Sequence, residues 1–294
     1  MNRALLSLPL LFAVVASGCD KRSATSATPA GPTSVTAIAA SPVTSASAAG
    51  SGAAAHGATG TYGNGSSALE VTDTFATSKG PLTVSPIHHA FVMIEWQGKK
   101  IMVDPWSTAY LPKADVIFIT DIHADHLDAA TLAKVKGAKT IVVGPPAVAE
   151  KTKVDTVMKN GDTKDVDGIG VEAVPMYNIE RGPEPGKKYH DKGRGNGYVL
   201  TFGSTRVYLS GDTECTPEMK ALENIDVAFL CMNLPYTETA QEAAACTLAF
   251  KPKVVFPYHF SQNDPSLPPQ KPEDFERLVE AKNKQIDVRI RSWY

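Results

Sequence analysis

Three short apolar runs in this chain each stop at an acid or an imidazole. ADVIFIT (114–120) runs into Asp121, His123, Asp125 and His126; RVYLS (206–210) runs into Gly211-Asp212; KVVFP (253–257) runs into Tyr258-His259. Unbroken apolar runs of this length read as strands buried on both faces, which exist only inside layered structures. Turns at the ends of such strands are where polar side chains can collect. The pattern therefore predicts an α/β layered domain in which strand ends converge on one edge and gather His123, Asp125, His126, Asp212 and His259 into one site. Imidazole nitrogen and carboxylate oxygen together suit a divalent metal.

The remaining periodicity fits that frame. AFVMIEW and KKIMVDP are two strands joined by a turn at Gln97-Gly98, and LDAATLAKV is helical with Asp128 as its N-cap. KTIVVG and GIGVEAVPMYN are strands, the latter ending at Pro175, and YVLTF and TRVYLSGD form a hairpin around Gly203-Ser204. Helix and strand then alternate: CTPEMKAL, IDVAFLCMN, TAQEAAACTLAF, PKVVFPYHF, and KPEDFERLVEAK with Pro272 in its first turn. DVRIRSWY is expected to close the sheet. No internal repeat is visible.

The first 68 residues are of a different kind. ALLSLPLLFAVVASG is too short for a comfortable membrane span and ends in ASGC, small residues before Cys19. This resembles a bacterial lipoprotein signal, with Ala16 where the pattern prefers Leu. It implies a signal peptide over 1–18, lipidation of Cys19, and export to a membrane surface, facing the periplasm. Residues 19–68 are dominated by Ala, Ser, Thr, Gly and Pro and lack the apolar area to offset ordering entropy. They read as a tether, with the folded domain over 69–294.

Composition narrows the partners. A formal net charge of −2 with no long basic run gives no electrostatic footprint for nucleic acid. A small-molecule substrate is expected instead, and the oligomeric state is left open. Beyond Cys19, Cys215, Cys231 and Cys246 are odd in number and irregular in spacing, so no disulfide framework is expected. Cys231 and Cys246 read as buried small hydrophobes and Cys215 as a packed cysteine at a helix start.

The set D-x-H-x-D-H at 121–126, G-D-T at 211–213 and P-x-H at 257–259, with flanks HHAFVMIEWQGKKIMVDPW, GNGYVL and FKPKVVFPYHF, resembles the metallo-β-lactamase-fold hydrolase superfamily over about residues 81–260. The resemblance implies a four-layer αββα sandwich with metals at one edge between the sheets. It maps the usual H-x-H-x-D-H onto Asp121, His123, Asp125 and His126, a bridging aspartate onto Asp212 and a final histidine onto His259. The chain departs from the pattern twice: Asp121 replaces a histidine, and the further histidine falls near Asn178, for which His190 in the following Gly-rich loop can substitute. One or two divalent ions are implied, zinc first, with manganese or iron as alternatives. Asp125 and Asp212 take the catalytic roles. His89, Asn178 and Tyr236 are expected around the metals or along the pocket, whereas Asp104 reads as turn chemistry. The implied function is metal-dependent hydrolysis of an ester, lactone, amide or phosphodiester bond; the alternative is a metal-binding or ligand-sensing lipoprotein with little catalysis.

Overall fold

The computed structural model describes residues 71–107, 109–260 and 266–294. The leader, Cys19 and the tether to residue 68 lie outside the described residues. Two seven-stranded sheets organise the rest. The first runs in sequence order through β1 (Asp73–Thr77), β2 (Gly80–His88), β3 (Phe91–Trp96), β4 (Lys99–Val103), β5 (Ala114–Phe118), β6 (Lys136–Gly144) and β7 (Thr156–Val157). The second runs in reverse order, from β14 (Asp287–Val288) through β13 (Val254–Tyr258), β12 (Val227–Cys231), β11 (Thr205–Leu209), β10 (Gly195–Phe202) and β9 (Ile169–Met176) to β8 (Thr163–Val166).

The period of two explains the layers. Along β12, Val227, Phe229 and Cys231 enter the core between the sheets, while Ala228 and Leu230 face outward into a second core. Along β5 and just beyond it, Val116 and Phe118 point inward, and Ile117 and Ile119 point outward. Alternate side chains leave opposite faces of a strand, so a run that is apolar at every position must be covered on both. The outer face of the first sheet is covered by α1 (Ala129–Val135) and α2 (Pro146–Ala149) through Leu132, Val135 and Val148. The second sheet is covered by α3 (Pro217–Lys220), α4 (Ala240–Phe250) and α5 (Pro272–Glu280), through Met219, Ala243, Phe250, Phe275 and Val279. The result is the αββα sandwich.

Strand polarity puts the polar loops on one edge. β4, β5, β6 and β7 are mutually parallel, as are β11, β12, β13 and β14. The carboxyl ends of β4, β5, β11, β12 and β13 are followed by Asp104, Asp121, Asp212, Asn233 and His259 respectively. β9 is antiparallel to β10, which is antiparallel to β11, so the loop after Met176 opens on the same edge. His89 reaches it from the turn between β2 and β3, because β3 runs antiparallel to β4. His89, Asp104 and His259 all have positive φ, at 56°, 48° and 49°. Non-glycine residues there cost about 1–3 kcal/mol each, and the surrounding packing must impose them.

Several expectations need correction. Residues 80–88, GPLTVSPIH, carry no strand expectation because Pro81 and Pro86 mask the pattern, yet they form the internal strand β2, whose ladder shifts register between Pro86 and His88. Only Asp287–Val288 of DVRIRSWY joins the sheet. The rest docks by side chains and two backbone bonds: Arg289 and Arg291 pair with Asp73, the indole of buried Trp293 donates to Pro257 O at 3.0 Å, Arg289 N donates to Val255 O, and His89 N donates to Trp293 O. Cys215 and Cys246 are not separate packed thiols but a disulfide closing 31 residues, which leaves buried Cys231 as the free thiol among the described residues. Irregular spacing hid it, because the bridge pins the loop after Asp212 to α4 and is no part of a repeated framework. A loop of that size is constrained by roughly 3–4 kcal/mol in the unfolded chain. Reduction is expected to lower Tm by roughly 5–15 °C, read by calorimetry with and without reductant. An unchanged Tm after verified reduction would contradict this.

Candidate metal centre

Asp121, His123, Asp125 and His126 come from the turn between β5 and α1, which is held open by its own backbone: His126 N and Leu127 N both donate to His123 O, at 3.1 and 2.8 Å. Gly211 lets the Asp212 loop come close. A Cβ at its φ of 60° would sit 2.4 Å from Met176 Sδ and 3.1 Å from Thr120 Cβ. Three groups of ligand-type atoms result. His126, Asp212 and His259 form the first, Asp121, His123 and His190 the second, and His89, Asp125 and His259 the third, with the atoms in each group within 4.8 Å of one another. Asp212 lies between the first two: Oδ2 is 3.4 Å from His126 Nε2 and 3.3 Å from His190 Nε2, and Oδ1 is 3.2 Å from His259 Nε2. Asp125 borders the first group, with Oδ2 3.5 Å from His259 Nε2 and Oδ1 3.9 Å from His126 Nε2.

The atoms that face each other here are the ones the protein leaves unpaired. His126 Nε2, His190 Nε2, His259 Nε2 and Asp212 Oδ1 are buried without a hydrogen-bond partner in the protein. A buried polar atom left unpaired costs about 1–3 kcal/mol. Four of them converging is a strong physical sign that a cation belongs among them, and the nitrogen and oxygen donor set fits a divalent metal.

The far side of each ring is held. His126 Nδ1 lies 2.7 Å from Asp104 Oδ2, and the same carboxylate accepts from Thr120 N and Thr120 Oγ1 at 2.8 and 2.5 Å. Asp104 is thus a support for His126 and not only a turn residue. Asn178 Oδ1 accepts from His190 N and faces His190 Nδ1 at 2.7 and 2.8 Å, while its Nδ2 donates to Tyr236 O and Glu214 Oε1. Of the two alternatives, His190 therefore enters the ligand group and Asn178 stands behind it, fixing the tautomer with Nε2 unprotonated. Glu214 pins the same loop by accepting from the backbone N–H groups of Ile179, Glu180 and Arg181. Asn233 Nδ2 is 3.1 Å from His259 Nδ1, and its Oδ1 has no partner. The reverse carboxamide orientation pairs Oδ1 with Nδ1–H and frees the Nε2 lone pair, which is the orientation a ligand histidine demands.

His89 lies beside Asp125, with Nε2 3.1 Å from Asp125 Oδ2 and Nδ1 2.8 Å from Tyr294 Oη. Burial, then the neighbouring His259 ring, lowers its pKa to about 4. A neutral ring donating Nε2–H to Asp125 and accepting the Tyr294 hydroxyl satisfies both contacts. In metal-free protein, His89 is expected to stay neutral from pH 8 down to about 5, followed by ¹⁵N NMR. Its contribution to stability is then complete above its unfolded value near 6.5 and falls as pH drops towards 4. Titration of that ring near 6.5 would contradict the assignment. Burial acts to raise the Asp212 carboxyl, but His259 and His126 outweigh it and hold it well below the usual range. Burial likewise opposes the shift of His126, which Asp212 and Asp104 drive well upward.

The site opens into a cleft of about 270 Å³ lined by Tyr189, Tyr236 and Asn233 beside His123, Asp125, His190 and Asp212. The side chains of His123 and Asp125 are 44% and 30% exposed, so solvent reaches the metal-facing groups. Tyr189 and Tyr236 meet edge to face, with centroids 5.0 Å apart. Four contributors escaped the sequence reading: Tyr189, Asn233 and Tyr294, each without a motif, and Arg194, which donates from Nε and an Nη to the two oxygens of Asp121 at 3.0 and 2.8 Å.

Comparison with known proteins agrees with this geometry. Residues 83–259 match the family described as beta-lactamase superfamily domain. A UPF0173 metal-dependent hydrolase from Pyrococcus horikoshii is 32% identical over 208 residues, 65% of this chain and 89% of that protein. A crystal structure of a candidate metal-dependent hydrolase from Parabacteroides distasonis is 41% identical, with a TM-score of 0.66, over 75% of this chain and 98% of the other. The metallo hydrolase Igni18 from Ignicoccus hospitalis, at 22% identity and a TM-score of 0.58 over 72% and 95%, shares the fold.

Proposed function

Because the chain belongs to the metallo-β-lactamase superfamily, we propose that its edge site is the active centre of a metal-dependent hydrolase acting on a small molecule. The observation that carries this reading is the convergence of four unpaired buried donor atoms at the base of a cleft that His190 and Asp212 line together with the part-exposed His123 and Asp125. A closed coordination sphere would favour a structural or sensing role, whereas access from the cleft favours chemistry.

His126, His259, Asp212 and Asp125 would hold one ion, and Asp121, His123 and His190 the other, with Asp212 shared. A divalent metal, zinc first by its fit to imidazole and carboxylate, supplies Lewis acidity that lowers the pKa of water and polarises the bond to be cut. Asp125 carries the chain's own part. Burial acts to raise its carboxyl, but the His259 and His89 contacts keep it ionised, well below the usual range. It borders the cleft and can orient water and accept its proton, while His89 holds its Oδ2 in place. Tyr189, Tyr236 and Asn233 offer aromatic faces and neutral polar groups, which suits an ester, lactone, amide or phosphodiester substrate of modest charge.

The test is hydrolysis of p-nitrophenyl acetate, bis(p-nitrophenyl) phosphate and a chromogenic lactam, with metal content measured alongside. Activity removed by chelator and restored by zinc or manganese supports the reading; no bound metal under any loading overturns it. The lipoprotein-like start supports export, and the Cys215–Cys246 bridge suits an oxidising compartment. Fatty-acid labelling lost in Cys19→Ala would support anchoring at that residue, and labelling unchanged by the substitution would overturn it.

A further inference from the structure

We propose that Arg194 is a built-in counter-charge of the metal centre, occupying Asp121 so that the two metal positions fill unequally, the His126–Asp212–His259 position first. The inference rests on the hydrolase reading of the site. Its starting point is the bidentate pair: Arg194 Nε meets Asp121 Oδ1 at 3.0 Å and an Arg194 Nη meets Oδ2 at 2.8 Å. Asp121 is fully buried and the Arg194 side chain is 19% exposed, so water screens the pair little. A fork of this kind takes a lone pair from each carboxylate oxygen. His123 Nδ1 lies 3.0 Å from the same Oδ2 and His190 Nε2 3.9 Å from it. Asp121 thus has little more than one oxygen to turn towards a metal, and its charge is already matched.

The two positions differ in a second, independent way. His126 is backed by a carboxylate, Asp104, whereas His190 is backed by the neutral carboxamide of Asn178. A carboxylate behind a ligand histidine raises its basicity, and an amide does so less. Asp125 also borders the first position and is held there by a neutral imidazole, His89, whereas Asp121 at the second is held by the Arg194 guanidinium. These differences favour the first position, although His259 there is backed by the neutral carboxamide of Asn233, as His190 is by Asn178.

The loop explains why Arg194 can do this. It leaves β9 at Met176, delivers His190, and returns to β10 at Gly195. Gly195 is pressed against the β5 end, where a Cβ would lie 2.1 Å from Met176 Cε and 2.9 Å from Thr120 O. Asn196 N donates to Thr120 O at 2.9 Å, which fixes the loop exit beside Asp121. The loop that brings in a ligand thus brings in a cation four residues later.

A divalent ion at Asp121 must share the carboxylate with a guanidinium, so removing the charge should tighten that position. Arg194→Gln keeps amide donors for Asp121 and removes the charge; Arg194→Lys keeps the charge. Zinc titration of the chelator-stripped full-length protein, against a chromophoric chelator, reads both steps without any substrate. The wild type is expected to show two steps separated by at least about a hundredfold. Arg194→Gln should tighten the weaker step by about tenfold or more and leave the stronger one in place, and Arg194→Lys should resemble the wild type. Two wild-type steps of equal affinity overturn the proposal even where the glutamine variant does not fold, as does a weaker step that is unchanged or loosened in a folded Arg194→Gln protein. A wild type that binds no zinc would instead remove the hydrolase reading beneath it.

Discussion

His126→Ala is expected to abolish hydrolysis and to remove the tightly held metal while the sandwich stays folded. The residue is wholly buried at the end of β5, with Asp104 behind it and Asp212 in front. Loss of an outer partner of a metal ligand lowers affinity roughly 10–100-fold, and loss of the ligand itself should exceed that. Asp212→Ala should be more severe in stoichiometry, because Asp212 lies within 3.4 Å of imidazoles from both proposed metal positions. The comparison is informative: His126→Ala leaves the Asp121–His123–His190 position a residual weak ion, whereas Asp212→Ala depletes both. Plasma mass spectrometry of protein purified without chelator gives the metal count, and circular dichroism shows whether the sheets persist. Full metal occupancy in both variants would end the assignment of these ligands.

Much of this arrangement was legible before any coordinates. Apolar runs ending in Asp or His carry the strand, the edge and the ligand in a single stretch, which is why His123, Asp125, His126, Asp212 and His259 could be named together. Residues whose roles depend on the partner of a partner were not legible. Asp104 sits in VDPW, which reads as a turn, and only the parallel β4–β5 pairing places it behind His126. Asn178 and His190 lie twelve residues apart, and their order in the site is decided by Asn178 Oδ1 accepting from the backbone N–H and the ring Nδ1 of His190. Arg194 looks like one more charge in a polar loop until Asp121 is found facing it. The disulfide was missed because two cysteines 31 residues apart carry no spacing signal of their own.

The departure at Asp121 also changes meaning once its neighbours are known. Read alone, an acid in place of an imidazole adds negative charge and suggests a defective position. Paired with Arg194, it adds no net charge and still presents an oxygen towards His123 and His190. On the Arg194 proposal the position would be altered in affinity more than in capacity, so a count of bound ions needs an affinity beside it.

Asp104→Asn is expected to lower zinc affinity at the His126 position by roughly 10–100-fold, with little change in fold stability. The volume is conserved, so no cavity forms. Thr120 N donates to Asp104 Oδ1 at 2.8 Å, and the amide oxygen of the variant will keep that bond. Its nitrogen then replaces Oδ2, which faces His126 Nδ1 at 2.7 Å. Nδ1 must change from donor to acceptor, and a neutral ring that accepts at Nδ1 carries its proton on Nε2. That proton occupies the lone pair aimed at Asp212 and His259, so the ring can no longer ligate without breaking its support. Asp104→Ala should behave differently: it leaves Thr120 N buried without a partner, at about 1–3 kcal/mol, and His126 Nδ1 with only the Thr120 hydroxyl, 3.1 Å away, so it should lower Tm as well as affinity. Tautomer-sensitive ¹⁵N shifts of His126 separate the two cases. An Asp104→Asn protein with wild-type zinc affinity and an unchanged tautomer would show that the carboxylate behind His126 does not set the ring, and the geometry of the centre would have to be explained from the ligands alone.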